Sequence, residues 1–367
     1  MTLATATAVR RTERCVLPDE PPIRLMIVDD SSVARALLSR MVTAQEGFSV
    51  VAAAASAAEA RRVLRGISVD IILLDIEMPG GNGLEALPDI LEAGRGARVL
   101  IVSSMAEDGA EVTVRALALG AADTMPKPGS GMFGSRFSDI LAERLRRIGR
   151  VAHESERASA PAGSVVLRQV RDWQPECIAI GASTGGIHAI NEFLAALPTR
   201  TGVPIFVTQH LPPLFMPYFA RQLAAASGRP AHVAEDGEAV QPDHIHLAPG
   251  DAHLRPQRRG SVVRLQLDRA ASASGCVPSV DPMMESAGET YGKGALGVML
   301  SGMGRDGLLG SRRLAARGGV VLAQDRLSST IWGMPRAVAE AGLATAVLPP
   351  RELARRIAGQ LGDGSWK

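Results

Sequence analysis

Ser183, His210 and Asp306 are three residues whose types could together do covalent chemistry. A serine hydroxyl is a poor nucleophile at neutral pH and needs a base that titrates near pH 7. Histidine supplies such a base, and a buried aspartate on its other ring nitrogen holds its tautomer. Ser183 stands in Gly181-Ala182-Ser183-Thr184-Gly185, a G-x-S-x-G turn between an apolar run and an apolar-periodic segment. The glycines tolerate a tight turn that a Cβ would obstruct. N–H groups at the start of the following helix can stabilise negative charge beside the hydroxyl. The same turn also serves as a structural bend or a phosphate cradle, so the pattern alone leaves the nucleophile open. His210 closes the apolar run 203–209. Asp306 follows the run 294–300 across Ser301-Gly302-Met303-Gly304-Arg305. That Gly-rich stretch can offer an N–H, from Met303 or Gly304, to an oxyanion. An aspartate before glycine is also a common turn or helix cap.

A second constellation lies upstream. Asp29, Asp30, Asp75, Ser103 and Lys127 each follow a short apolar run. Three gathered carboxylates repel one another, and a hard divalent cation relieves that repulsion; magnesium suits a partly hydrated site. A carboxylate beside such a cation can accept a phosphoryl group as an acyl phosphate, with Ser103 bonding the group and Lys127 pairing with its charge. Taken singly, each of these residues is a strand-end cap or a surface charge. Five at successive strand ends point to a site.

The elements that must position these residues alternate. Strand candidates at Ile23–Val28, 48–53, 69–74, 98–102 and 121–125 are separated by helical patterns. Ser31 can cap the first helix, whose inward face is expected to hold Val33, Leu37 and Met41. Alternation of this kind means a parallel, doubly wound sheet, and the chemistry-bearing residues sit at its carboxyl edge, where open α/β sheets bind ligands. The second half repeats the scheme. Strand candidates at 203–209, 294–300, 319–323 and 343–347 join the one before Ser183, with helices expected at 217–226 and Leu308–Ala316. Ile187, Ile190, Leu194 and Leu197 mark one face of the helix after Ser183. The order Ser…His…Asp differs from the Ser…Asp…His of α/β-hydrolases, so the turn is no evidence for that fold. The fold class is therefore α/β: a flavodoxin-like domain followed by a second doubly wound, mostly parallel domain.

Length and composition agree. The 367 residues suffice for two or three domains, and 46% hydrophobic content is ordinary for an α/β protein. A net charge of +2 gives no global field favouring nucleic acid or membrane as a partner. Cys15, Cys177 and Cys276 form no C-x-x-C pair, which fits a reducing cytoplasm. No apolar run reaches membrane-span length, and the arginines and prolines of the first residues contain no secretory apolar core. Residues 1–21 read as a loose tail, 22–147 as the first domain, 148–173 as a linker and 174–367 as the second domain. The linker contains Glu154-Ser155-Glu156-Arg157-Ala158-Ser159-Ala160-Pro161, a composition that resists packing. His244, His246 and His253 lack H-E-x-x-H spacing, which disfavours a metal site; they read as packed or surface residues, with a substrate groove as the alternative. No cofactor is expected in the second domain.

Over residues 22–147 the chain resembles the receiver domain of bacterial response regulators. The pieces are Val28-Asp29-Asp30-Ser31, Leu74-Asp75-Ile76-Glu77-Met78-Pro79-Gly80, Val102-Ser103-Ser104 and Met125-Pro126-Lys127-Pro128. The resemblance implies Asp75 as phosphoacceptor, magnesium held by Asp29, Asp30, Asp75 and the Glu77 carbonyl, and Ser103 and Lys127 as switch residues. Thr124 stands where receivers usually carry an aromatic, so the link from phosphorylation to the outer surface is altered. Residues 174–365 are similar to the catalytic domain of chemotaxis protein-glutamate methylesterases. The motifs are IGASTGG (180–186), QHLPP (209–213), HLAPG (246–250), PSVDP (278–282), LSGMGRDG (300–307) and WGMPRA (332–337). This resemblance implies Ser183 as nucleophile, His210 as base and acid, Asp306 as orienter, the Met303 N–H as oxyanion donor, and Thr184 as an aid to His210. The family often has Leu-Phe where this chain has Met283-Met284, which bears on substrate fit.

The implied reaction hydrolyses glutamate methyl esters on chemoreceptors, with deamidation of receptor glutamines through the same acyl intermediate. The receiver is implied to cover the site until a chemotaxis histidine kinase phosphorylates Asp75. Two rivals remain at this level. One is a response regulator whose second domain only binds; the lack of a helix-turn-helix pattern or basic recognition helix counts against DNA. The other is nucleotide binding by the 181–186 turn, weakened by the missing G-K-[ST] and G-x-G-x-x-G.

Overall fold

The computed structural model describes residues 21–78, 83–103, 107–127, 135–157, 166–170 and 172–361. The tail expected over 1–21 lies outside them except for Pro21.

The first domain alternates strands β1 (Ile23–Val28), β2 (Phe48–Ala54), β3 (Ile71–Leu74), β4 (Arg98–Ser103) and β5 (Asp123–Pro126) with five helices. These are α1 (Ser32–Thr43), α2 (Ala57–Leu64), α3 (Gly83–Ala93), α4 (Glu107–Ala118) and α5 (Ser135–Arg157). The strands pair in the order β2-β1-β3-β4-β5, every pair parallel. This is the flavodoxin-like order, with its switch point between β1 and β3. All four residues of β3 are buried, as befits a strand covered by helices on both faces. Ser31 caps α1, its hydroxyl accepting the Ala34 N–H at 3.3 Å. The inward face of α1 differs from expectation: Leu38 and Val42 are buried and Val33 is 75% exposed. Val33 lies in the first turn, above the edge of the core.

The second domain comprises β6 (Cys177–Ala182), α6 (Gly186–Ala196), β7 (Ile205–Gln209), α7 (Met216–Ser227), β8 (Ala231–Val233), β9 (Ile245–Leu247), β10 (His253–Arg259), β11 (Val262–Asp268) and α8 (Val280–Tyr291). It continues with β12 (Ala295–Met299), α9 (Leu308–Ala316), β13 (Val320–Gln324), α10 (Met334–Glu340), β14 (Ala346–Leu348) and α11 (Pro350–Ala358). Seven strands pair in the order β14-β13-β12-β6-β7-β9-β8, all parallel. The antiparallel ribbon β10–β11 stands apart as a second sheet. Ile187, Ile190, Leu194 and Leu197 are buried, as their spacing requires. Sequence reading did not find β8, β9, the ribbon or α8. Among the described residues no helix is long and apolar enough to cross a membrane.

The expected linker is structured at both ends. Helix α5 continues through Arg157, with Leu141, Leu145 and Ile148 buried along one face. Beyond 165, the Arg168 N–H donates to the Ala344 carbonyl at 2.9 Å and its guanidinium to the Gly319 carbonyl at 2.7 Å, while Trp173 is buried. Residues 158–165 lie outside the described ones.

The domains meet on the α4 side of the receiver. Helix α4 packs against α6 and α7. Arg221 pairs with Glu111 at 3.2 Å, His188 Nδ1 lies 2.9 Å from the Ala118 carbonyl oxygen, and Arg98 donates to the Ser329 carbonyl at 3.1 Å. One hydrophobic cluster runs from Val99 and Leu117 of the first domain to Ile187 and Ile190 of the second.

Candidate active site

The large sheet reverses its strand order at β6, with β12 on one side and β7 on the other. Ligands bind at such a switch point because the crossovers leave in opposite directions and open a crevice. The loops after β6, β7 and β12 carry Ser183, His210 and Asp306 respectively.

The Ser183 turn is held from two sides. Its N–H donates to the Ser301 carbonyl at 3.0 Å, and its carbonyl accepts Gln209 Nε2 at 2.8 Å. The Thr184 carbonyl accepts the Ser301 hydroxyl at 2.9 Å. Gly185 has φ +74°, and a Cβ there would stand 2.2 Å from Thr330 Cβ. Only glycine meets both demands cheaply. At Gly302 a Cβ would meet Ser183 Cβ at 2.9 Å, so glycine lets the β12 loop run directly beside the serine.

His210 Nε2 lies 2.8 Å from Asp306 Oδ2. Asp306 is buried and accepts two further donors, the Ser279 hydroxyl on Oδ1 at 2.6 Å and the Val280 N–H on Oδ2 at 2.7 Å. His253 stands behind Ser279: its Nδ1 accepts the Ser279 N–H at 2.9 Å, which leaves the proton on Nε2, 2.8 Å from the Ala270 carbonyl. A chain of hydrogen bonds thus fixes His210 from the buried side. Burial alone raises the Asp306 pKa, but the hydrogen bonds from His210, Ser279 and Val280 outweigh it and bring the carboxyl down to about 2. For His210, burial opposes the charged ring. The hydrogen bond and charge of Asp306, with the imidazolium's hydrogen bond to a Cys276 thiolate and that thiolate's charge, outweigh that and push the imidazole up to about 9. The same contact with His210 pulls the Cys276 thiol down.

Because Asp306 occupies Nε2, Nδ1 is the nitrogen left to serve Ser183. Among the described residues no hydrogen bond joins Ser183 Oγ to His210, although both line one cavity of about 340 Å³ with Thr184, Gln209 and Pro212. Catalytic hydrogen bonds often close only around substrate. Met303 and Gly304 line an adjacent cleft with Cys276 and Asp306, and among the described residues their N–H groups have no partner. The far wall of the Ser183 cavity belongs to the receiver: Thr113, Leu117, Thr124 and Arg144 face the serine across it. Arg144 pairs with Asp123 at 3.0 Å and donates to the Thr124 carbonyl.

Sequence reasoning found Ser183, Thr184, His210, Met303 and Asp306, and the structure brings them to one edge. It missed Ser279, the Val280 N–H, Gln209 and Cys276. The PSVDP motif held the signal for Ser279 and Val280, since a serine two residues before an aspartate is a helix cap, and here it caps α8. Met283 and Met284, flagged for substrate fit, are fully buried. Met283 Sδ lies 3.1 Å from the Thr208 hydroxyl, and Met284 packs at Gly297 and Gly310, so this departure concerns the core.

In the receiver, Asp29 follows β1 and Asp75 follows β3, at that sheet's own switch point. Carboxylate oxygens of Asp29, Asp30 and Asp75 lie within 4.8 Å of one another. Lys127 Nζ is 2.6 Å from Asp75 Oδ2 and 3.3 Å from Asp29 Oδ2. Asp29 Oδ2 is buried and, apart from that ion pair, makes no hydrogen bond of good geometry. Burial raises the Asp75 pKa and Lys127 only partly offsets it. One lysine for two buried carboxylates is a donor set that a hard divalent cation fits. The Glu77 N–H donates to Asp75 Oδ1 at 3.2 Å. Ser103 is the last residue of β4; its side chain lies outside the described ones.

Comparison with known proteins identifies the family of each domain. The CheB methylesterase family profile matches residues 178–357, and the response regulator receiver profile matches residues 25–131. A protein-glutamate methylesterase/protein-glutamine glutaminase of Nitrobacter hamburgensis is 38% identical over 92% of this chain and 94% of its own. A second protein of that description, from Caulobacter vibrioides, is 41% identical over 92% of this chain and 98% of its own. The solved catalytic domain of the Thermotoga maritima CheB methylesterase aligns at 34% identity over 51% of this chain and 98% of that one, with a TM-score of 0.49. On identity and coverage of the curated relatives together, the chain belongs to the CheB family of receiver-linked protein-glutamate methylesterases.

Proposed function

We propose that the protein removes methyl groups from glutamate methyl esters of chemoreceptors, releasing methanol, and deamidates receptor glutamines, under control of phosphorylation at Asp75. The observation that carries the reading is the His210 Nε2–Asp306 bond of 2.8 Å in a loop cluster that places Ser183 on the same cavity at the switch point of the sheet. Ser183 Oγ attacks the ester carbonyl while His210 Nδ1 takes its proton. The free Met303 N–H receives the oxyanion. His210 returns the proton to the departing methoxide, and water then cleaves the acyl-enzyme by the same route. An amide enters the same acyl intermediate and releases ammonia. The test is methanol release from methyl-labelled receptor signalling domains, with and without magnesium and a small phosphodonor. Release that phosphodonor leaves unchanged sinks the regulatory half, and no release from several methylated receptors sinks the catalytic half.

Asp29, Asp30, Asp75 and the Glu77 carbonyl would hold magnesium, which supplies the charge neutralisation that phosphorylation of a carboxylate needs. Lys127 and Ser103 would then engage the phosphoryl oxygens, and a histidine kinase of the chemotaxis system is the natural phosphodonor. Resting Lys127 is committed to Asp75 and Asp29, so a phosphoryl group must re-aim it. That movement begins at the end of β5, one step from the Thr124–Arg144 wall over Ser183. Asp75→Asn therefore keeps basal esterase activity and loses phosphodonor stimulation; equal stimulation of variant and parent sinks this gating route.

The pH profile follows from His210. The ring must be neutral to act as base, so kcat/KM rises with pH until it levels above about 9. Cys276→Ala removes one of the contacts that raise this pKa, and the rising limb moves to lower pH. A limb that stays in place shows that the thiol does not touch the working imidazole.

A further inference from the structure

The β8 edge of the second domain's large sheet carries a donor set that the esterase does not use. Strands β8 and β9 are parallel neighbours in which His232 and His246 are register partners. Alternation puts Ile245 and Leu247 on the core side of β9 and sends His244 and His246 to the opposite face. Glu238 lies between the two strands' imidazoles: its Oε1 is 3.0 Å from His232 Nε2 and 2.8 Å from His246 Nδ1. The His244 ring stacks 6.3 Å from that of His246, and its Nδ1 lies 3.0 Å from the Pro242 carbonyl, which keeps the proton on Nδ1 and leaves a lone pair on Nε2.

These side chains stand on pinned backbone. The Gly237 N–H donates to the Leu265 carbonyl at 2.7 Å, and the Leu265 N–H returns a bond to the Glu238 carbonyl at 2.9 Å, so β11 fixes the loop that carries the carboxylate. His246 is buried, with Phe206 against it, while His232 is 40% exposed. The set is thus closed on one side and open on the other.

We propose that His232, Glu238 and His246 form a binding site for a divalent late first-row metal, zinc above all, with water in the fourth position. Two imidazoles and one carboxylate suit zinc, while calcium and magnesium demand oxygen. Ligand atoms around tetrahedral zinc stand about 3.3 Å apart. The observed 2.8 and 3.0 Å are those of hydrogen bonds that metal would replace, and a shift of a few tenths of an ångström makes room. Each neutral ring then carries its proton on the other nitrogen. For His246 that gives up the Gln241 N–H contact to Nε2, at 3.4 Å a weak one. The spacing rule of H-E-x-x-H could not detect this set, because it joins two strands and a loop. Bound metal would tie the edge strand β8 to β9 and to the β11 ribbon.

The test uses the full-length protein, stripped with chelator and titrated with zinc against a chromophoric competitor in excess magnesium. Parent protein, His232→Ala, Glu238→Gln and Cys276→Ala are compared. The expected result is one tight equivalent, weakened at least about 100-fold in His232→Ala and Glu238→Gln and kept in Cys276→Ala. Cobalt in the same site gives visible d–d bands with no thiolate charge-transfer band. His232→Ala removes an exposed ring, and Glu238→Gln preserves shape, so both report on ligation. No tight equivalent, or one that survives both variants and vanishes with Cys276→Ala, overturns the proposal; the latter would place the metal on His210 and Cys276 instead.

Discussion

Ser183→Ala brings methanol release down by about a millionfold in kcat, to what the oxyanion donor and substrate binding supply alone. The fold should not change, because the turn is held by backbone groups of Ser183 and Thr184 and by the Ser301 and Gln209 side chains, none of which involves the hydroxyl. Receptor binding therefore persists, and the variant should capture methylated receptor without turning it over. Measuring released methanol and receptor co-sedimentation on the same preparation checks both parts. Release within about tenfold of the parent would falsify Ser183 as nucleophile and favour a second domain that only binds.

Asp306→Asn has the next largest effect, about a 10,000-fold fall in kcat. The carboxylate accepts three donors, from His210, Ser279 and Val280. A carboxamide has one acceptor oxygen and two N–H donors: with NH2 at the Oδ2 position it faces the His210 and Val280 donors, and with NH2 at Oδ1 it meets the Ser279 hydroxyl, which can turn to accept. In either orientation His210 loses the negative charge that raises its pKa, and in the first it loses its orientation as well. Two readouts follow in opposite directions: the plateau collapses, while the rising limb moves down from about 9 toward the ordinary histidine range. A merely structural role for Asp306 would lower the plateau through unfolding and leave the limb of the residual activity in place.

The residues proposed to do chemistry were legible because each follows a strand. A buried parallel strand is a continuous apolar run, and the polar residue that ends it falls at the carboxyl edge by topology alone. Ser183 after β6, His210 after β7 and Asp75 after β3 are of this kind. Asp306 was harder, lying in a glycine-rich loop beyond the end of β12, but the glycines that let that loop approach Ser183 also marked it. Ser279 and His253 were not legible. They come from a helix cap and a ribbon strand that meet Asp306 only in three dimensions. Strands β8 and β9 have three residues each, too few for a period of two to show. The first residues of the expected linker, 148–157, continue α5, because Ile148 extends the buried face begun by Leu141 and Leu145 into a stretch of charged composition. Met283 and Met284, where the family often has Leu-Phe, were read as bearing on substrate fit, whereas their burial makes them packing residues.

If the receiver wall over Ser183 gates the site as proposed, it sets a ceiling as well. Thr124 and Arg144 line the cavity, and the receiver is held there by the contacts of α4 with α6 and α7, together with the ion pair Arg221–Glu111. Whatever free energy those contacts supply fixes the fraction of molecules open before any signal arrives, and that fraction is the leak. It also fixes the greatest gain, since opening every molecule multiplies output only by the reciprocal of the leak. A closure worth about 2.7 kcal/mol leaves about one molecule in a hundred open and limits the gain to about 100-fold. Tightening the interface lowers background and widens dynamic range, but it asks more of the acyl phosphate, which must outweigh the same contacts. Noise floor, gain and the work demanded of the signal are therefore one quantity, written into the packing between the two domains.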